Sequence, residues 1–261
     1  MLSYQHIYHA GNLADVHKHA LLAWMLAYLT AKPKPLSYIE THAGRGLYDL
    51  SDPAAQKTGE AAEGITRTEE WFAADHPLAR VLATLRKTHG ATAYPGSPLI
   101  AAHILRPCDI LHLAELHPAE HSALATAMSP FGARVHAQDG FALAQSLVPP
   151  TPRRGLMLID PSYEIKRDYT DIPGRIARLV KAWNVGIICL WYPILKTARH
   201  DEMLQRLSAA HPQALRHEVH FPPARANHGM TGSGLFVINP PYSLAEEAAR
   251  LGQHFTRLDP A

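Results

Sequence analysis

This sequence of 261 residues contains few cysteines, few long apolar runs and little excess of charge of one sign. The two cysteines, Cys108 and Cys189, lie far apart, so we expect reduced thiols, as in cytoplasmic proteins, and no disulfide framework. Apolar runs are interrupted well before membrane-spanning length, and the N-terminus lacks the basic region of a signal peptide. These absences predict a cytoplasmic protein with no membrane-spanning segment.

The formal net charge is only +2, which indicates a slight preference for anionic partners but is far from that of a basic nucleic-acid-binding arm. Hydrophobic residues make up 47% of the chain and charged residues 18%, as in globular domains. The length fits one large α/β domain with a small insertion.

Residues 155–159 form a short apolar run, which predicts a strand buried on both faces. Asp160-Pro161-Ser162-Tyr163 follows it, at the strand end where ligands bind in open α/β sheets. This tetrapeptide resembles the Asp-Pro-Pro-Tyr signature of methyltransferases that act on exocyclic amines of nucleobases. The Asp160 carboxylate and Pro161 carbonyl can each accept one amine hydrogen, and Tyr163 can stack on the base. The tetrapeptide alone fits an ordinary strand and proline turn equally well.

Helical and extended patterns alternate along most of the chain. The first helix is predicted from Asp15, as its N-cap, to about Leu29. Residues 47–93 interrupt the alternation and are interpreted as a helical insertion, with a long irregular crossover as the alternative. The alternation resumes at Ser97, which is predicted to cap a helix. The predicted strands cover residues 36–39, 110–114, 134–138, 155–159, 186–190, 215–221 and 235–238, and the helices inside the insertion cover about 61–74 and 78–88.

Polar residues end successive predicted strands: Glu40 with His42, Glu115, Asp139 and Asp160. An acid at the end of the second strand can accept hydrogen bonds from both ribose hydroxyls of a nucleoside, and Asp139-Gly140 stands where an adenine amine is often bound in this fold. Each residue alone is more often a cap or turn residue. Their shared placement predicts S-adenosyl-L-methionine bound across the strand ends, with its methyl group directed at Asp160.

A second tetrapeptide, Asn239-Pro240-Pro241-Tyr242, also follows an apolar strand and matches the signature more closely. The catalytic tetrapeptide should follow the fourth strand, which neighbours the first in the sheet. Asn239 instead ends the last strand, which is typically antiparallel in such sheets, so its end should point away from the site. Asp160 is therefore preferred, and Asn239 is kept as a minority alternative.

Histidines cluster near the N-terminus, but they have no cysteine partner and no HExxH-like pattern, so no zinc site or other metal site is predicted. These residues are His6, His9, His17 and His19. His19, on the face of the first helix that packs near the first strand, is expected to contact the cofactor instead.

Blocks along essentially the whole chain resemble the bacterial 23S ribosomal RNA adenine-N6 methyltransferase family known as RlmJ. The most specific block is Ser3-Tyr4-x-His6-x-x-His9-Ala10-Gly11-Asn12-x-Ala14-Asp15-Val16-x-Lys18-His19. The others, in order, are Thr41-His42-Ala43-Gly44-x-Gly46, Tyr94-Pro95-Gly96-Ser97-Pro98-Leu99-Ile100-Ala101, Glu115-Leu116-His117-Pro118, Asp139-Gly140-Phe141, Arg153-Arg154-Gly155, Leu190-Trp191-Tyr192-Pro193 and Gly229-Met230-Thr231-x-Ser233-Gly234.

The resemblance implies an α/β fold: a Rossmann-like S-adenosylmethionine-dependent methyltransferase sheet, from residues 1–46 and 94–261, with a small helical insertion after the first strand at 47–93. It implies catalysis by Asp160, within a motif that includes Pro161 and Tyr163, and substrate binding by Tyr4. The implied cofactor contacts are His19, His42, Ser97, Glu115, Asp139 and Gly140.

The chain departs from the family pattern at Glu40, where Asp is usual, at Ser162, where Pro is usual, and at His228, where Arg is expected. Ser162 leaves both amine acceptors in place, so activity is expected to survive. His228 changes the expected charge of a loop on the substrate side.

The predicted activity is methylation of the N6 amine of a specific adenine in 23S ribosomal RNA by a monomeric enzyme, with S-adenosyl-L-homocysteine as the product. The adenine must be unstacked to reach the site.

One alternative is a DNA adenine-N6 methyltransferase, because the residues do not distinguish RNA from DNA. Another is a non-catalytic RNA-binding protein that retains the cofactor fold. Residues 1–12 are hypothesised to cover the bound cofactor, with Tyr4 near the base.

Overall fold

A computed structural model describes residues 5–222 and 229–258 of the chain. Tyr4 and His228 lie outside the described residues. The strands are β1 Ser37–Glu40, β2 Leu47–Asp49, β3 Ala93–Pro95, β4 Ile110–Ala114, β5 Arg134–His136, β6 Gly155–Ile159, β7 Ile187–Leu195, β8 Leu215–His220 and β9 Met230–Ile238. The α-helices are α1 Leu13–Thr30, α2 Pro53–Thr58, α3 Pro77–His89, α4 Ser97–Ile104, α5 Pro118–Met128, α6 Gly140–Leu147, α7 Asp168–Ala182, α8 His200–Ala210 and α9 Leu244–Phe255.

A seven-stranded sheet, in the order β5-β4-β1-β6-β7-β9-β8, forms the centre of the molecule. β1 pairs in parallel with β4 on one side and β6 on the other, while β9 runs antiparallel to both β7 and β8. The carboxyl ends of β1, β4, β5 and β6 therefore share one edge. The predictions that the strand before Asp160 neighbours the first strand, and that the last strand is antiparallel, are confirmed.

Helices cover both faces of this sheet. On one face, α1, α3, α4 and α9 contribute to the larger apolar core, whereas α6, α7 and α8 pack on the other. All five residues of β6 are buried, as a strand covered on both faces requires. Among the described helices, none is both long and apolar enough to cross a membrane.

Two predicted helix caps are wrong. The N-cap of α1 is Asn12, whose side-chain oxygen accepts a hydrogen bond from the Asp15 N–H at 2.9 Å. The N-cap of α4 is Gly96, and Ser97 is the first helical residue. The side chains of Asp15 and Ser97 instead point into a polar cluster beside the sheet, because they have stronger partners there than the backbone of their own helices.

The segment between β1 and α4 is only partly helical. β2 and β3 pair as a separate two-stranded antiparallel sheet, and α3 lies close to the predicted span 78–88. The helix expected over 61–74 is interrupted at Gly64, where φ is −91° and ψ is −116°. A Cβ atom on Gly64 would lie 2.0 Å from the Gly11 carbonyl oxygen, so a close chain crossing overrides helix propensity there. Treating 47–93 as a separate inserted subdomain stays a prediction.

Candidate active site

A cleft of about 780 Å³ opens at the shared carboxyl edge of the parallel strands. Its volume falls in the range of small-molecule and cofactor sites, roughly 300–1,000 Å³. Every described residue that was predicted for catalysis or cofactor binding lines it: His19, His42, Ser97, Glu115, Asp139, Gly140, Asp160, Pro161 and Tyr163. The structure thus brings together residues that are up to 144 positions apart in the chain, from His19 to Tyr163.

A buried ion pair holds the Asp160 carboxylate. Lys18 Nζ lies 2.6 Å from Asp160 Oδ2 and 3.1 Å from Asp15 Oδ1, and it sits 5.5 Å from the centre of the Trp191 ring. Burial opposes the charge, but Asp160 and Asp15 together raise the pKa of Lys18 above its usual value. Lys18 therefore stays cationic and donates a charge-assisted hydrogen bond to Asp160 Oδ2.

Asp15 is the second anion of this cluster. Its Oδ2 atom accepts a hydrogen bond from the Gly11 N–H at 2.9 Å and lies 2.8 Å from His6 Nε2. Burial raises the pKa of Asp15, but the nearby His6 and Lys18 outweigh it and hold the pKa well below the usual value. Asp15 thus remains charged and ties the start of α1 to the Lys18 ammonium group.

Sequence reasoning missed the role of Lys18. Asp15, Lys18 and His19 stand at positions i, i+3 and i+4 of one helix, so their side chains share a face. That spacing was visible in the sequence. It gave no sign, however, that the face would meet the end of β6, because that contact joins residues 142 positions apart.

The turn after β6 is fixed by Tyr163. This residue adopts a left-handed backbone conformation with φ of +55°, and its hydroxyl donates a hydrogen bond to the Trp191 carbonyl at 2.8 Å. The residue is 8% exposed, and its ring lies 4.7 Å from the Tyr169 ring, measured between centroids. In this conformation Tyr163 packs inside the protein and orients the turn. Stacking of its ring on a base stays a prediction that this packing does not support.

Acceptor oxygens line the cofactor side of the cleft. The two oxygens of Glu115 accept hydrogen bonds from the backbone N–H groups of Gly44 at 2.9 Å and His117 at 2.7 Å. Asp139 caps α6 by accepting from the Ala142 N–H at 2.8 Å. Each carboxylate oxygen has a second lone pair. Glu115 and Asp139 are therefore oriented by the backbone and can still accept hydroxyl or amine hydrogens from a ligand.

Gly140 is required by a close approach of two chain segments. A Cβ atom at this position would lie 1.8 Å from the Thr41 carbonyl oxygen. Only glycine lets the start of α6 pack against the end of β1 at this distance. The residues that follow β1 and β5 are thereby held on the same side of the cleft.

Neutral polar groups form the wall behind these acceptors. Burial raises the pKa of Glu40 to about 8, although Ser97 and Tyr38 donate hydrogen bonds to its carboxyl group. Burial lowers the pKa of His42 to about 4, so this ring is neutral at neutral pH. Glu40 stands where aspartate is usual in the RlmJ family. Its carboxyl group accepts a hydrogen bond directly from the Ser97 hydroxyl.

His19 is also buried and neutral. Burial lowers its pKa to about 3, its Nδ1 atom lies 2.9 Å from the Tyr94 hydroxyl, and its Nε2 atom lies 3.7 Å from Asp15. Both ring nitrogens thus face protein groups, although the side chain lines the cleft. A direct contact of His19 with the cofactor stays a prediction.

The competing tetrapeptide lies elsewhere. The Asn239 side-chain amide donates hydrogen bonds to the carbonyls of Asn184, at 3.0 Å, and Gly186, at 2.8 Å. Both residues precede β7, so Asn239 sits at the edge of the sheet opposite the cleft. Asp160, and not Asn239, is therefore the acid or amide that can meet a ligand in the cleft. Across residues 5–222 and 229–258, no three His, Cys, Asp or Glu side chains are grouped as metal ligands.

The strand order, with Glu115 after β4 and Asp160 after β6, identifies a Rossmann-like methyltransferase that uses S-adenosylmethionine. The family model described as "RsmJ: Ribosomal RNA large subunit methyltransferase D, RlmJ" matches residues 33–259. The chain belongs to this family.

Relatives of nearly the same length support this assignment. The ribosomal RNA large subunit methyltransferase J of Escherichia coli (strain K12) is 41% identical over 254 residues, which cover 95% of this chain and 90% of that protein. The protein of the same name from Haemophilus influenzae is 38% identical, covering 98% and 94%. A crystal structure of a Legionella pneumophila protein is 38% identical, with a TM-score of 0.86 over 95% of this chain and 93% of that one.

Proposed function

We propose that this protein transfers a methyl group from S-adenosylmethionine to the N6 amine of an adenine in 23S ribosomal RNA. The observation that carries the proposal is the Lys18-bound carboxylate of Asp160, which lines the same cleft as the acceptors Glu115 and Asp139. This arrangement pairs a nucleoside-binding wall with two acceptors for an amine. Both curated relatives are named as ribosomal RNA large subunit methyltransferases.

The residues of the cleft fit the cofactor. Glu115 would accept hydrogen bonds from the ribose hydroxyls, and Asp139 beside Gly140 would accept one from the adenine amine. Ser97 and His42 present neutral polar groups in the adjoining wall. When bound, S-adenosylmethionine supplies a methyl group on a positively charged sulfur.

Asp160 and Pro161 would prepare the target amine. The Asp160 carboxylate and the Pro161 carbonyl each accept one hydrogen of the amine, which directs the nitrogen lone pair toward the methyl group. Most of the acceleration comes from holding the two reactants in line and close together. The proton released after transfer passes to solvent or to Asp160. Ser162 leaves both acceptors unchanged.

The substrate enters as an unstacked base, which costs a few kcal/mol and is cheapest for an adenine in a loop or at a helix end. Tyr4 is proposed to contact this base, although it lies outside the described residues. A monomer is proposed as the active form. A ribosomal RNA substrate places the enzyme in the cytoplasm.

Mass spectrometry of ribosomal RNA from cells with and without this gene tests the function. One N6-methyladenosine in 23S ribosomal RNA should disappear with the gene, and should return with the wild-type gene but not with the Asp160→Ala variant. Purified enzyme should transfer tritiated methyl to RNA and not to DNA. An unchanged methylation map, or preferred incorporation into DNA, would refute the proposal.

A further inference from the structure

A chain of hydrogen bonds leads from Trp191 in the cleft to His217 on β8. Trp191 Nε1 donates to Ser233 Oγ at 2.9 Å, and Ser233 Oγ lies 2.9 Å from His17 Nδ1. His17 Nε2 lies 2.9 Å from His217 Nδ1. Ser233 and His17 are fully buried and do not line the cleft, so the proposed reaction does not use them directly.

The direction of the first hydrogen bond in this chain follows from its donor. The indole N–H of Trp191 can only donate, so Ser233 Oγ accepts it. Burial lowers the pKa of His17 well below its usual value, and the neighbouring His217 lowers it further, so the ring is neutral. A neutral imidazole carries one hydrogen, so His17 donates from one ring nitrogen and accepts at the other, between Ser233 and His217.

The Trp191 end of the chain touches the catalytic group through Lys18. The ammonium nitrogen lies 5.5 Å from the centre of the indole ring, within the range of a cation–π contact. The same nitrogen lies 2.6 Å from Asp160 Oδ2. The Trp191 carbonyl also accepts the Tyr163 hydroxyl, which fixes the turn after β6. A rotation of the indole ring would thus remove its contact with Lys18, the ammonium group that holds Asp160.

We infer that Ser233 and His17 are positioning residues for methyl transfer, which hold the Trp191 ring against Lys18 and so fix the Asp160 carboxylate. This inference rests on the proposed function. A displacement of reacting groups by about 1 Å can cost on the order of a hundredfold in rate. Loss of the Ser233 hydroxyl should therefore lower turnover without removing any group that touches substrate or cofactor.

The chain offers a matched control for this test. Trp24, also on α1, donates its indole N–H to Ser243 Oγ at 3.2 Å, and neither residue lines the cleft. Ser243→Ala therefore removes the same kind of tryptophan–serine hydrogen bond as Ser233→Ala, at a different place. Both variants should lose some thermal stability, because each leaves an indole N–H without its partner. Only Ser233→Ala should change catalysis.

The experiment compares methyl transfer to ribosomal RNA by four proteins: Ser233→Ala, Ser243→Ala, Trp191→Phe and the double variant of Ser233 and Trp191. We expect kcat to fall about tenfold or more in Ser233→Ala, with the KM for S-adenosylmethionine changed less than about threefold, and kcat to be unchanged in Ser243→Ala. Trp191→Phe keeps an aromatic ring but lacks the indole N–H. If Ser233 acts through that N–H, the double variant should be no slower than Trp191→Phe.

A second readout does not depend on turnover. In 15N-tryptophan-labelled protein, the indole resonance that Trp191→Phe removes should shift in Ser233→Ala and stay in place in Ser243→Ala. Additive losses of kcat, equal losses in Ser233→Ala and Ser243→Ala, or an unshifted resonance would overturn the inference. If Ser233→Ala fails to fold, Trp191→Phe with unchanged kcat overturns it alone. Absence of methyl transfer by the wild type would refute the proposed function, while the resonance would still test the hydrogen bond.

Discussion

Two tetrapeptides in this chain have nearly the same pattern and opposite surroundings. Asp160-Pro161-Ser162-Tyr163 follows the parallel strand β6, and Asn239-Pro240-Pro241-Tyr242 follows the antiparallel strand β9. Tyr163 is 8% exposed and holds a turn in the cleft, whereas Tyr242 is 95% exposed. The signature that matches better by residue type is at the wrong end of the sheet. The direction of the preceding strand, rather than similarity to the motif, decides which of Asp160 and Asn239 can meet a ligand in the cleft.

The largest expected effect separates these two segments directly. Asp160→Ala should reduce methyl transfer to background, a loss of about a thousandfold or more, because the amine loses a charged acceptor. Cofactor affinity should stay within a few-fold of the wild-type value. Asn239→Ala, the matched variant at the other edge, should keep more than about half of the activity, since its amide contacts only backbone carbonyls. The reverse result would exchange the roles of the two segments.

The next largest effect concerns what holds Asp160. Lys18→Met leaves the buried Asp15 and the partly buried Asp160 without their shared cation, which should cost about 3–5 kcal/mol of unfolding free energy. Methyl transfer should fall strongly as well, because Asp160 loses its partner. Denaturant unfolding measures the first effect. Lys181→Met, which removes an exposed lysine from α7, should change the unfolding free energy by less than about 0.5 kcal/mol. Equal stability of the two variants would contradict the buried ion pair.

A smaller effect tests whether Glu115, at the carboxyl end of β4, belongs to the cofactor site. Glu115→Ala should weaken binding of S-adenosylmethionine about ten- to a hundredfold, since hydrogen bonds to a charged acceptor contribute roughly 1.5–3 kcal/mol. Calorimetry measures this affinity. Glu164→Ala, an exposed acid elsewhere in the cleft lining, provides the comparison and should change affinity much less. Unchanged affinity in Glu115→Ala would remove the residue from the cofactor site.

The smallest effect is expected at Glu40, whose buried carboxyl group lies at the carboxyl end of β1. Its folded pKa of about 8 lies above the unfolded value of 4.5, so the folded state binds the proton more tightly. The wild type should therefore lose stability as pH rises from about 4.5 to about 8. Glu40→Gln stays neutral, so its melting temperature relative to the wild type should rise across this window. A difference that does not depend on pH would show that Glu40 is not protonated in the folded protein.

The elements that sequence predicted best are those with a contiguous apolar core. β4 and β6 have the predicted bounds, because an apolar run between turn residues leaves few alternatives. The site followed from the same logic. Once the strands were placed and assumed parallel, the polar residues at their carboxyl ends had to meet at one edge.

Where sequence reasoning failed, a distant segment decided the local structure. β7 continues through Pro193 to Leu195, and β9 begins at Met230, earlier than predicted, because the two strands pair along this length. Gly234 fits inside β9 because the Tyr192 ring fills the space of a side chain, with a Cβ only 2.1 Å from that ring. The break at Gly64 and the ion pair of Lys18 are of the same kind. None of these contacts leaves a periodic pattern.

The position of β9 between β7 and β8 has a consequence for synthesis of the chain. The last strand to leave the ribosome is the one that joins the two strands before it, so the edge of β7 has no partner until residue 238 has emerged. An unpaired, largely apolar strand edge is a template for pairing with other chains. Nascent chains that stall before Met230 should therefore be the most prone to aggregate.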